Sequence, residues 1–211
     1  MTMPDILINT ENIFLNRGIC ELLSEIAKEE HIRELYSVVD CSTDILDPID
    51  MLFTEMAAGE HYLCHPFFKK LPPHTSIFIF VATDSALQVE QLPLCLRDAT
   101  FISMNSDLRR VKNQIAKRLT ESTTSSCGGL EKDSRRCVKC PRLTLTKSQL
   151  YIINAIRTGM NNQQIAQKLG ISHKTIFSHK INIMKKFQIA TKQELTRFSS
   201  VALALSAGRI G

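Results

Sequence analysis

NQQIAQKLGISHKTIFSHKINIMKK, residues 162–186, decides how the second half of this chain folds. Ile165, Ala166 and Leu169 recur at helical spacing and stop at Gly170, so 162–169 is expected to be a short amphipathic helix. Gly170-Ile171-Ser172 then turns the chain. The glycine supplies backbone freedom and Ser172 a cap for the next helix, expected from His173 or Lys174 to Phe187. Two short helices joined by a three-residue turn containing glycine make a helix-turn-helix, here at about 162–181, whose second helix enters the major groove. On that second helix Ile176, His179, Ile183 and Phe187 share one face, expected inward. Lys174, Phe177, Ser178, Ile181, Asn182 and Lys185 share the other. Lys174, Thr175, Lys180 and Lys185 suit phosphate anchoring, Phe177, Ser178 and Ile181 suit base edges and thymine methyls, and Asn182 suits either. The spacing also fits a wider core face that takes in Phe177 and Ile181.

Helical patterns flank this motif. Leu150, Ile153 and Ile156 mark a helix from Lys147 to Thr158, with Gly159 as its stop. Thr191, with Glu194 three residues on, is a candidate cap for a last helix whose Leu195, Phe198, Val201, Ala202 and Leu205 form one stripe. Charge supports a polyanion partner. Residues 142–211 hold 11 Lys and Arg against one acid, Glu194, whereas residues 1–108 hold 6 against 17, inside a chain of net charge +5.

The first half reads differently. Ile6-Leu7-Ile8, Leu35 to Val39, Met51-Leu52-Phe53 and Ile77 to Ala82 are strand candidates, and Phe101-Ile102 is a fifth. A helical pattern over Ile13–Ile26 and another from Asp107 to about Leu119 alternate with them. Alternation of this kind predicts an open parallel α/β sheet, and the unbroken apolar run at 77–82 suits a strand covered on both faces. The stretch from Ala57 to Pro73, with three prolines, fits no element. Residues 120–141 are polar and contain Gly128-Gly129, so they are expected to be a connector. The expected organisation is an α/β domain at 1–119, a cysteine-containing linker at 120–141 and an all-α four-helix domain at 142–206.

Leu145-Thr146, Ile152-Ile153, Gly159, Asn162, Ile165-Ala166, Leu169, Ile171-Ser172, Lys174-Thr175-Ile176, His179, Asn182-Ile183 and Lys186-Phe187 resemble, in order and spacing, the LuxR/NarL (FixJ-type) helix-turn-helix domain. Ser148 and Gln149 depart from it, standing where the family usually has an Arg-Glu pair. The resemblance implies a double-stranded DNA partner and a dimerising last helix, here Leu195, Phe198, Val201 and Leu205; packing of that stripe within its own domain fits equally.

The start of the chain, Ile6 to Asn12 and Phe14 to Ile19, resembles the response-regulator receivers that accompany this domain, a flavodoxin-like fold. Receivers hold Mg²⁺ with an acidic pair beside a phosphorylated Asp. By that resemblance the pair is Thr10 and Glu11 here, the acceptor position carries Glu55, the phosphate-sensing lysine is Met104, and the hydroxyl switch falls on Val81 or Thr83. This set implies a degenerate, phosphorylation-independent receiver. The run Lys174 to Lys180 is similar to enterobacterial accessory regulators of capsule, curli or fimbriae, which implies a homodimer or a heterodimer with a response regulator, and control of surface-structure or virulence genes. RNA polymerase is a further candidate partner.

Other readings weigh less. Cys127, Cys137 and Cys140 form C-x9-C-x2-C, a redox or metal feature, but zinc needs a fourth ligand and no second C-x2-C exists; His61, Cys64 and His65 lie far away in sequence. Free linker thiols are the simpler reading, and no metal or cofactor is expected. No Gly-rich phosphate loop, Gly-x-Ser-x-Gly elbow or His-Glu-x-x-His is present, so no enzyme is expected. A protein that modulates another regulator by dimerising with it, without reading DNA, is the remaining alternative. Neither a signal peptide nor a membrane span is legible, which leaves a cytoplasmic protein as the expectation.

Overall fold

The computed structural model describes residues 4–29, 49–82, 87–124 and 140–207. The chain forms two units. One comprises residues 1–55, 66–84 and 98–138, the other residues 56–65, 85–97 and 139–211.

The first unit is built on a four-stranded sheet in the order β1 (Ile6–Asn9), β2 (Met51–Met56), β3 (Ser76–Val81), β4 (Thr100–Ser103). Ile6 pairs in parallel with Met51, and Phe78 with Thr100. Helices α1 (Ile13–Glu29) and α3 (Leu108–Thr124) lie over one face. There Ile19, Leu22, Leu23 and Ile26 meet Val111, Ile115 and Leu119 above Ile6, Ile8, Met51, Phe53, Phe78 and Phe80. The rings of Phe53 and Phe78 stack at 4.8 Å. Leu7, Leu52 and Ile79, which alternate with these, are equally buried, so both faces are covered, as the unbroken apolar runs require. Lys112 joins the two helices through Glu29 and Glu25, at 2.6 and 3.4 Å.

Some boundaries differ from expectation. The helix expected to end near Leu119 continues to Thr124, because no Gly or Pro interrupts it before Gly128. The stretch left unassigned holds a 3-10 turn at Glu60–Tyr62 and α2 (Pro66–Lys70), where Pro66 occupies the first helical position and its missing N–H costs nothing. The strand expected at Leu35–Val39, Thr83 as hydroxyl switch, and Cys127 and Cys137 lie outside the described residues.

The second unit contains α4 (Lys147–Arg157), α5 (Asn162–Leu169), α6 (His173–Lys186) and α7 (Lys192–Ala207), and Met56, the last residue of β2, is the one strand residue among its described residues. Its core is Ile152, Ile153, Ile165, Ile176, Ile183, Phe187, Leu195, Phe198 and Ala202. Two further pieces of chain pack into this unit: 56–65, which leaves the end of β2, and 85–97, which follows β3.

Candidate nucleic-acid interface

Local chemistry builds the helix-turn-helix. Asn161 opens α5 with a capping box: its side chain accepts from Gln164 N at 2.9 Å, and Gln164 Oε1 accepts from Asn161 N at 2.8 Å. Gly170 closes α5 in the left-handed region (φ 64°), and Ile171 N donates to Ala166 O at 3.1 Å. Ser172 Oγ then accepts from Thr175 N at 3.0 Å and starts α6. Ile176 and Ile183 are fully buried and hold α6 against α5 and α4.

The opposite side of α6 faces solvent. Lys174, Thr175, Phe177, Ser178, Asn182 and Lys185 are exposed, Phe177 to 51%, which excludes the wider-core alternative for this ring. Ser178 Oγ donates to Lys174 O within the helix. The first turn carries no acid, so Lys174 adds to the positive end of the helix dipole. Ile181 is half-buried, and so is His179, which was expected fully inward. Lys180 is also half-buried: its Nζ donates to Asn162 Oδ1 at 2.5 Å and ties α6 to the start of α5. Burial, then the charge of Lys192, pull its pKa below that of an ordinary lysine. The bracing role of Asn162 was not legible in the sequence, because nothing local distinguishes it from its polar neighbours.

The departure at Ser148-Gln149 has a structural counterpart. Gln149 closes a capping box with Thr146, donating its N–H to Thr146 Oγ1 and accepting from Thr146 N at 3.0 Å. At the last helix the Thr191–Glu194 pair forms as expected: Glu194 N donates to Thr191 Oγ1 at 3.1 Å, and Glu194 Oε2 accepts from Thr191 N. The stripe beyond it divides. Leu195 and Phe198 are interior, the Phe198 ring lying 4.7 Å from that of Phe187, while Val201 and Leu205 are half-buried. Leu205 lines an apolar cavity of about 450 Å³ with Leu63, Cys64, Leu143, Leu150 and Leu203.

In the first unit the strand register brings together three of the positions that the resemblance to receivers singled out. Asn9 pairs with Thr54, and Val81 with Ser103, so Thr10, Glu55 and Met104 each lie one residue beyond, at the carboxyl end of the sheet. Thr10 Oγ1 accepts from Asn12 N, and Asn12 Oδ1 accepts from Phe14 N and Leu15 N, capping α1. Glu11 is exposed, Glu55 half-buried and Met104 exposed. Of the linker thiols, Cys140 is described; its Sγ accepts from Leu94 N at 3.4 Å.

Residues 143–199 match the model of the luxR family of bacterial regulatory proteins. The oxygen regulatory protein NreC of Staphylococcus epidermidis is 30% identical over 114 residues, 52% of this chain and 47% of that one. NreC of Staphylococcus aureus strain JH9 is 39% identical over 59 residues, 28% and 27% of the two chains. The chain thus spans at most about half the length of these relatives. Among solved structures, two RcsB dimers bound to two parallel DNAs give a TM-score of 0.51 at 19% identity, over 95% of this chain and 99% of that one. A second RcsB–DNA complex gives the same score at 18% identity and equal coverage, a likeness of fold. The class defined by the family match is that of bacterial regulatory proteins, and it is defined for residues 143–199. Those residues form a luxR-family helix-turn-helix domain, and the parallel sheet of the first unit belongs to a fold like that of the RcsB structures.

Proposed function

We propose that this protein is a sequence-specific, phosphorylation-independent regulator of transcription that reads double-stranded DNA through α6. The observation that carries this is the exposed side of α6: an apolar ring, Phe177, stands in solvent among Lys174, Thr175, Ser178, Asn182 and Lys185 on a helix braced from behind. An exposed aromatic side chain amid cations suits the floor of a major groove, where apolar groups meet thymine methyls and cations meet phosphates. Lys174, Thr175 and Lys185 serve as phosphate anchors, Phe177, Ser178 and Ile181 as base readers, with Asn182 in either role. Lys180 serves from its tie to Asn162.

The receiver-like unit lacks the acid pair and the lysine at the positions that carry them by resemblance, which supports independence from phosphorylation. It works as an assembly platform in the cytoplasm, forming a homodimer or a heterodimer with a response regulator. Dimers in the RcsB–DNA structure support the pairing, and Val201 and Leu205 are the stripe residues with surface left to offer. Surface-structure genes are the proposed targets and RNA polymerase a proposed contact.

The test is retention of genomic fragments by the purified full chain at physiological salt, followed by sequencing. Enrichment of a few promoters carrying an inverted repeat is expected. Salt-sensitive binding without enrichment would move specificity to a partner regulator, and no retention at all would overturn the reading.

A further inference from the structure

The exit of α6 is held by a residue from far away in the chain. After Phe187 the backbone passes through Gln188 in the left-handed region (φ 55°), a costly conformation for a residue with a Cβ. Gln188 Oε1 accepts a hydrogen bond of 2.5 Å from the hydroxyl of Tyr62. Tyr62 is fully buried, and each of its polar atoms is engaged: its hydroxyl accepts from Gln88 N at 3.1 Å, and its carbonyl accepts from Leu143 N at 3.0 Å. Three residues before it, Gly59 (φ 81°) lies so close to Phe187 that a Cβ there would stand 2.7 Å from Phe187 O and 2.9 Å from Phe187 Cβ. One residue therefore joins four pieces of chain within one unit: its hydroxyl links the segment after β3 and the exit of α6 to the segment after β2, and its backbone carbonyl holds the entry to α4.

We infer that Tyr62 is a positioning residue for DNA reading, setting the last turn of α6 through Gln188 and so the placement of Asn182 and Lys185. The inference rests on the proposed role of α6. Base and phosphate contacts tolerate displacements of about half an ångström, so a loosened exit degrades the contacts of the last turn before those of the first. Six residues separate Tyr62 from Glu55 near the end of β2, so the strand carrying the proposed degenerate acceptor position leads directly into the segment that holds the exit of α6.

Two measurements on the full chain test this. In hydrogen exchange, Tyr62→Phe is expected to speed exchange of the Gln188 and Ile189 amides, while β2 and β3 amides stay as in the parent. On the enriched duplex, Tyr62→Phe and Gln188→Leu are each expected to weaken binding about fivefold, the scale of one net hydrogen bond. The double variant should be no weaker than either single one, and Gln188→Glu, which keeps an acceptor oxygen, should retain affinity. Tyr62→Phe should combine less than additively with Lys185→Ala and additively with Lys174→Ala, a pattern that general destabilisation would not produce. Unchanged exchange at Gln188 and Ile189 overturns the inference whatever the DNA result, as do unchanged affinity or equal coupling to both lysines. A parent protein that enriches no duplex overturns the reading of α6 instead, and the exchange measurement tells the two apart because it needs no DNA.

Discussion

Two glycines in the second unit separate backbone strain from steric contact. Gly170 and Gly59 both have positive φ, but a Cβ at 170 meets nothing within 4 Å, whereas one at 59 meets the backbone oxygen of Phe187. Gly170→Ala is expected to cost about 1 kcal/mol, the left-handed penalty alone. Gly59→Ala adds overpacking and is expected to cost about 3 kcal/mol. Urea midpoints at constant m-value would check the pair, and equal losses would contradict the close approach at Gly59. On DNA, Lys185→Ala should weaken specific and random duplexes alike and lower the salt slope by about one, while Phe177→Ala should relax preference at one base position. Titrations at three salt concentrations on both duplexes distinguish these roles. The exposure of Phe177 and Lys185 was legible, since it follows from helical spacing. Lys180 was not, because the sequence shows a lysine and only the fold brings Asn162 to its ammonium.

At the scale of elements, the helices of the second unit are locally specified. Asn161, Ser172 and Thr191 each stand just before an apolar-periodic run, and each caps the helix that follows. Asn161→Ala is expected to lower stability by about 1 kcal/mol, with thermal unfolding as the check; no loss would mean that water replaces the cap. The stretch from 57 to 73 resisted reading for a physical reason. Its short turn and five-residue helix have no periodicity of their own, and Tyr62, Leu63 and Phe68 are buried by partners distant in sequence. The last helix shows the converse limit. Its stripe was plain, but whether Leu195 and Phe198 face a second protein or their own core depends on Phe187, which the fold sets beside Phe198.

At the scale of the whole molecule, a pH dependence of stability is expected from buried His61 and half-buried His65. Burial lowers the pKa of His61 to about 4, and that of His65 to about 4 against an opposing hydrogen bond at Glu60. In the unfolded chain both titrate near 6.5. Above that value they are neutral in both states and contribute no dependence. As pH falls from 6.5 towards 4 the unfolded state takes up protons first, so stability is lost across that window, by at most about 3 kcal/mol per imidazole. Denaturant midpoints at pH 7 and pH 5 should differ, and His61→Phe should reduce the difference; an unchanged difference would mean that other groups govern it. Acetyl phosphate is expected to leave Glu55 unlabelled, and stoichiometric labelling detected by mass would remove the case for a degenerate receiver.

By itself the sequence determined what short-range physics controls: a parallel α/β half, four helices, their caps, the glycine turn and the basic charge of the second half. Hydrophobic period, capping and charge act over a few residues, so they survive reading in one dimension. Only the tertiary structure decided which chain pieces make the second unit. Tyr62 and Gln188 lie 126 residues apart, and no local pattern marks a buried hydroxyl for a partner at that distance. Burial assigns it, because a polar group removed from water must find its hydrogen bond wherever the fold brings one within reach.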